Sequence, residues 1–244
     1  DPYYTRRQAA GAMMDKIAVP ANNIRGMSFD TMQTAFREIM AHDRIAIFEL
    51  ATSERGYTSQ KYWEYSAMIY AAAIATGYRG KIFIQLDHAQ VKKDVYFGLG
   101  GKEADPEGAV QAVKDYIKEA IEARIYNIDI DPSPLMIAGP LPGATHPDVQ
   151  NLPFDNSRNL TRESLVEGNI SAEELLARQR FNIQETVNLV KYVRDLEREY
   201  GIPLTIAVGG EDMHVDQDVI STEFSVKIFM LAVEKALTDL GVPE

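Results

Sequence analysis

Apolar positions along this chain alternate between two rhythms. Short strand-like runs occur at Lys16–Ala21, Ile45–Leu50, Lys81–Asp87, Ile125–Asp131 and Leu204–Val208. Between them, apolar residues recur every three or four positions, the spacing of one helical face. Phe29, Met32, Phe36, Ile39 and Met40 form such a face after an N-cap at Ser28. A second helix is predicted from about Ser59 to Thr76, with Gly77 as its stop. Asp105-Pro106 starts a third, with Val110, Val113, Ile117 and Ile121 inward. Ser171-Ala-Glu-Glu174 is a capping box that opens a long helix to about Tyr200, buried along Ile183, Val187, Val190 and Val193. A last amphipathic helix runs from Thr222 to Leu240, with Val226, Phe229, Val233 and Leu237 inward.

Five β-then-α units in succession predict an α/β fold with a parallel sheet and covering helices. Two architectures fit, an open doubly wound sheet and a (β/α)8 barrel. No G-x-G-x-x-G follows the first strand, which weakens a dinucleotide-binding sheet. The interval 132–170 breaks the rhythm, because six of the eleven prolines lie between Pro132 and Pro153. Proline fits neither ladders nor helix interiors, so a long excursion is expected there. Residues 1–244 therefore read as one domain carrying a Pro-rich insertion. Gly241-Val-Pro243 repeats the helix-to-strand punctuation of Gly201-Ile-Pro203, so a further strand is expected after Glu244.

Composition narrows the chemistry. The chain has no cysteine, so disulfides are excluded and any metal is held by His, Asp or Glu. That absence fits a cytoplasmic protein. The net charge of -11, with no long basic run, argues against nucleic acid and anionic membranes as partners. No apolar run approaches a membrane span.

Polar groups gather where the predicted strands end: Asn22 and Asn23, Ser53 and Glu54, Asp87 and His88, Asn127 to Asp131, and Glu211 with Asp212 after Gly209-Gly210. In parallel α/β folds this edge is where active sites form. The run Lys81-Ile-Phe-Ile-Gln-Leu-Asp-His88 is the most telling, because a buried strand seldom ends in Asp-His for packing reasons. A neutral imidazole binds a metal, and an adjacent carboxylate moves a proton. In a regular strand the two would face opposite ways, so both reach one site only if the backbone turns at His88. Asp129 and Asp131 alternate with isoleucines and point to one side, which calls for a cation or a basic partner. His42 and His146 read as surface residues. Tyr57, Tyr62, Trp63 and Tyr65 read as helix packing.

With those residues assembled, the chain resembles the class II, metal-dependent ketose-bisphosphate aldolases, in a variant branch. The resemblance rests on Leu86-Asp87-His88, Ile130-Asp131-Pro132-Ser133, Glu211 after Gly209-Gly210, Ala21-Asn22-Asn23 and the polar turn Ser53-Glu54. It implies a TIM (β/α)8 barrel, of which this chain covers about the first five units. It implies zinc or another divalent cation, with His88 and Glu211 as ligands. Asp87 becomes the acid/base, Asp131 orients the site or binds a second cation, and Asn23 and Ser53 contact substrate. The implied substrate is a small phosphorylated ketose, cleaved to dihydroxyacetone phosphate and an aldehyde by a homo-oligomer. Two alternatives stay open: a non-catalytic aldolase-like subunit that stabilises a partner, and another metal-dependent sugar-phosphate lyase or isomerase.

Overall fold

The computed structural model describes residues 19–166, 169–210, 213–215 and 218–242. A five-stranded parallel sheet organises the chain in sequence order. Its strands are β1 (Ala21–Asn23), β2 (Ile47–Ala51), β3 (Phe83–Ala89), β4 (Asn127–Ile130) and β5 (Thr205–Val208). The helices in chain order are α1 (Ser28–Ala41), α2 (Thr52–Thr58), α3 (Tyr62–Thr76), α4 (Lys93–Tyr96), α5 (Pro106–Glu122), α6 (Arg162–Val166), α7 (Ala172–Tyr200) and α8 (Glu223–Asp239). A short antiparallel ribbon pairs β6 (Met213–Val215) with β7 (Asp218–Ile220). No described helix is long and apolar enough to cross a membrane.

The strand expected at 16–21 falls largely outside the described residues. The described strand starts at Ala21, so Asn22 and Asn23 lie within it. Ser28 opens α1 as its first residue, and Met27 precedes it in the left-handed region at φ 47°. The helix expected from about Ser59 to Thr76 is α3, which begins at Tyr62, and a separate short helix, α2, precedes it and stops at Ser59, whose φ is 57°. Glu54 sets the start of α2 by accepting from the Ala51 N–H at 3.0 Å, which binds the end of β2 into the helix start. Gly77 closes α3 at φ 75°, as its missing Cβ allows.

The chain divides into two compact units. The first holds residues up to Ala89 together with Tyr116–Asp129 and Leu196–Ala207. Here α1 packs on α3, and Phe36 meets Phe48 and Tyr78 with ring centroids 5.1 and 4.8 Å apart. Phe48, Leu50, Ile84 and Leu86 are buried. The alternate positions on those strands carry Glu49, Gln85 and Asp87 beside the apolar Ile47, Ala51 and Phe83. Asn23 pairs with Glu49 and Glu49 with Gln85 across the ladder, and Asp87 follows two residues after Gln85. Period-two geometry therefore gives this part of the sheet one greasy face and one face crossed by a polar row. Of the aromatic set, Tyr62 and Tyr65 are buried, whereas Tyr57 and Trp63 are exposed.

The second unit holds Gln90–Asp115, Ile130–Asp195 and the residues from Val208 on. The Pro-rich excursion lies here and is packed. Met136, Leu160, Leu165, Ile170, Leu175 and Met213 form its core. A buried polar stripe on α7 ties it down: Arg178, Gln179, Asn182, Glu185 and Thr186 are all at least 96% buried, at positions that share one helical side. Arg178 donates to the carbonyls of Ile137 and Asp155 and stacks over Phe154. Asn182 donates to the Gly210 carbonyl. A Cβ at Gly210 would lie 2.8 Å from Phe229 and 2.9 Å from Asn182. Gly210→Ala is therefore expected to cost about 1–3 kcal/mol by overpacking, read as a lowered urea midpoint.

His146 is not at the surface. It is 93% buried and stacks on Tyr96 at 5.6 Å and 10°. His42 is exposed, 3.4 Å from Glu38.

Candidate metal and proton-transfer site

The C-terminal ends of β1, β2, β3 and β4 bring a compact set of polar side chains together within the first unit. His88 is the pivot. Its φ of 49° lies in the left-handed region, which costs a non-glycine residue about 1–2 kcal/mol. That turn cancels the alternation of the strand. The ring comes back toward its neighbour, with Nε2 3.5 Å from Asp87 Oδ1 and Nδ1 4.0 Å from Asp129 Oδ2. Two contacts hold the turn in place: the His88 N–H donates to Asp129 Oδ2 at 3.1 Å, and the Thr52 hydroxyl donates to the His88 carbonyl at 3.0 Å. Strain of this kind concentrates where chemistry needs a side chain aimed. The imidazole stays half exposed, while the Asp87 and Asp129 side chains are 14% and 11% exposed.

Asp87, His88 and Asp129 each offer one ligand atom, and these atoms all lie within 4.8 Å of one another. A divalent cation with oxygen ligands at about 2.3–2.6 Å spans that distance. A tetrahedral zinc, with bonds of about 2.0–2.2 Å, sets its ligand atoms about 3.3–3.6 Å apart, so the widest pair must close by up to about 1.2–1.5 Å. The donor set of one nitrogen and two carboxylates fits a borderline or hard divalent ion.

Around this trio the carboxylates are sorted by environment. Asn23 bridges two of them, its amide donating to Asp87 Oδ2 at 2.8 Å and to Glu54 Oε2 at 2.9 Å. Burial alone would raise the Glu54 carboxyl. Donors from Ala51, Asn23 and Arg25 outweigh burial and hold it below its ordinary range. Glu49 goes the other way. Burial, reinforced by the charges of Asp87 and Asp129, lifts it from 4.5 to about 7. Gln85 donates to Glu49 Oε1 at 2.7 Å.

Glu49 has a consequence for stability. Between pH 4.5 and about 7 the folded state keeps a proton on Glu49 that the unfolded chain has released. Stability is then greatest below the unfolded value and falls as pH rises through that window. In chelator, the melting temperature is expected to decline from pH 5 to pH 8. Glu49→Gln should flatten that decline and melt higher than the parent at pH 8.

The other sequence candidates are placed as follows. Asn23 joins the cluster through Asp87. Ser53 is exposed on α2, and its neighbour Glu54 is the residue that reaches Asn23. Asp131 is 98% buried in the second unit, accepting from Gln90 Nε2 at 2.5 Å and from the Ser133 N–H at 3.0 Å. Glu211 lies outside the described residues, as does Asp212. Four members of the site carry no assignment from sequence: Glu49, Gln85, Arg25 and Thr52. The signal for Glu49 is a lone carboxylate in the apolar run Ile47-Phe-Glu-Leu50.

No family model matches this chain, and no curated protein matches it. Solved structures do. One, described as "a probable tagatose 6 phosphate kinase" from Sinorhizobium meliloti 1021, aligns with a TM-score of 0.52 at 13% identity. The alignment covers 93% of this chain and 46% of that one, so this chain spans about half the length of that protein. That likeness is one of fold. A second, described as "a putative fructose-1,6-biphosphate aldolase" from Coccidioides immitis, aligns with a TM-score of 0.32 at 14% identity, over 97% of this chain and 92% of that one.

Proposed function

We propose that this chain belongs to a metal-dependent aldolase that cleaves a phosphorylated ketose, on a (β/α)8 barrel whose first five units it supplies. One observation carries the reading. The left-handed turn at His88 gathers an imidazole and two carboxylates at the C-terminal ends of adjacent parallel strands. The polar row Asn23, Glu49 and Gln85 supports a barrel interior, because a face buried against helices would be apolar there.

Bound by His88 and Asp129, a divalent cation such as zinc supplies Lewis-acid stabilisation of the charge that carbon–carbon cleavage leaves on the ketose oxygens. The chain's own side chains do the rest. Asp87 accepts the proton of the substrate's C4 hydroxyl as the bond breaks, and returns it in the condensation direction. Asn23 fixes the Asp87 carboxylate through Oδ2 and leaves Oδ1 on the His88 side. Arg25 and Asn23 keep Glu54 ionised and turned away from that proton. Contact of Asn23 and Ser53 with substrate, the orienting role of Asp131 and the ligand role of Glu211 rest on the sequence resemblance alone. So does the homo-oligomeric state, while the cytoplasmic setting rests on the cysteine-free sequence.

A second reading has one observation in its favour: the described cluster holds a single imidazole. A subunit that keeps the barrel and stabilises a catalytic partner needs no complete ligand set. Elemental analysis and an aldol-cleavage assay on the intact protein, with ketose bisphosphates and added divalent metal, decide between the two. Stoichiometric metal with cleavage supports the enzyme. Absence of cleavage by the intact, metal-supplied protein overturns the enzymatic reading.

A further inference from the structure

The second unit contains a cavity of about 480 Å³ beside the first half of α5, the middle of α7 and the turn at 146–148. None of its residues belongs to the metal cluster. One wall is aromatic: His146 stacks on Tyr96, and Phe181 stands edge-on to both at 5.2 and 5.9 Å. The other is built around Glu185, which is 96% buried. Tyr96 Oη donates to its Oε1 at 2.9 Å, Gln184 Nε2 to the same oxygen at 3.0 Å, and Asn188 Nδ2 to Oε2 at 2.9 Å. These donors are all neutral.

A carboxylate taken out of water is costly unless its charge is matched. Among the described residues Glu185 has no basic side chain within ion-pair distance. The charges around the cavity do not supply one. Lys114 sits over the Tyr192 ring at 5.4 Å, and Arg180 is turned to Asp148 and to the Phe181 ring. Glu107 adds a further carboxylate to the lining. His146 accepts from the Asp148 N–H through Nδ1, so Nε2 carries its hydrogen. Burial holds that imidazole below its ordinary value, so it adds no positive charge at neutral pH.

We propose that this cavity is a second small-molecule site, one that takes an organic ammonium compound. The charged nitrogen lies against Glu185, and the carbon skeleton runs along Tyr96, His146 and Phe181. Buried carboxylate and π-faces are the two features that favour a desolvated organic cation. An anionic ligand would face Glu107, Asp148 and Glu185 against Lys114 as the basic lysine of the lining.

Calorimetry on the intact protein tests this with spermidine and 1,4-diaminobutane, against inorganic phosphate and sorbitol. We expect saturable one-site binding of an amine and none of the other two. Glu185→Gln keeps the shape of the side chain and should weaken binding at least tenfold. Gln111→Trp fills the cavity from an exposed position on α5 and should abolish binding in a protein that melts like the parent. Asp87→Asn should leave it unchanged. Four results overturn the proposal: no saturable amine binding at about 10 mM ligand, binding of phosphate or sorbitol in place of amines, binding that survives Gln111→Trp, or loss of binding in Asp87→Asn.

Discussion

Asp87→Asn is expected to lower the turnover of ketose bisphosphate cleavage by about 10²–10⁴-fold, the usual worth of a positioned general acid–base group. The substitution is close to isosteric. The oxygen of the new carboxamide can still accept from Asn23, which in the parent donates to Asp87 Oδ2 at 2.8 Å. The fold and substrate affinity should therefore change little, and the loss should fall on kcat rather than KM. Steady-state kinetics at saturating divalent metal, with metal content measured in parallel, separates the outcomes. Full turnover in the variant removes Asp87 from proton transfer. A loss of activity matched by a loss of metal makes Asp87 a ligand instead.

The second large effect concerns His88, whose ring and backbone can be tested apart. Both His88→Ala and His88→Gly remove the only nitrogen donor of the trio. Each should weaken metal binding by at least about 100-fold. The metal-induced rise in melting temperature should vanish with it. The two variants differ in the backbone. At φ 49° alanine retains the left-handed penalty and glycine does not, so the glycine variant should be the more stable by about 1 kcal/mol. Denaturant melts of the metal-free proteins measure this. Equal stability of the two would mean that the turn relaxes once the ring is gone and carries no stored strain.

The strands and helices are largely legible in the sequence because each is set by its own neighbours. The capping box at Ser171, the stop at Gly77 and the start at Asp105-Pro106 act within a few residues, and the structure follows them. The parallel sheet is legible from the alternation of the two rhythms. The strand count that a closed barrel would need is not, because the number of strands in a sheet is a property of the whole chain. At the site, Asp87 and His88 are visible as a chemical oddity at the end of an apolar run. The left-handed turn that unites them is not, since it depends on Asp129 from the next strand and on Thr52. The period-two pattern places Asp129 and Asp131 on one side without saying which meets His88. That depends on strand register, which single-strand patterns leave open.

His146 and Glu49 are hidden from a sequence reading for a common reason: each takes its character from a neighbourhood that is distant in the chain. Proline-rich sequence around His146 suggests a loop, and a loop suggests solvent. The excursion is instead packed by its own apolar residues and has an interior. A single carboxylate inside Ile-Phe-Glu-Leu reads as part of a strand. Only the pairing of Glu49 with Asn23 and Gln85 reveals the polar row to which it belongs.

The stripe of Arg178, Gln179, Asn182, Glu185 and Thr186 bears on how the second unit finds its shape. An oily helix surface can slide by one turn past its neighbours and still bury much the same area. Here a one-turn slip would strand Arg178 away from the Ile137 and Asp155 carbonyls, and Asn182 away from Gly210. Each of those losses would leave a desolvated polar group without a partner. The stripe thus works as a key cut for one lock, excluding near-native registers more than it deepens the native one.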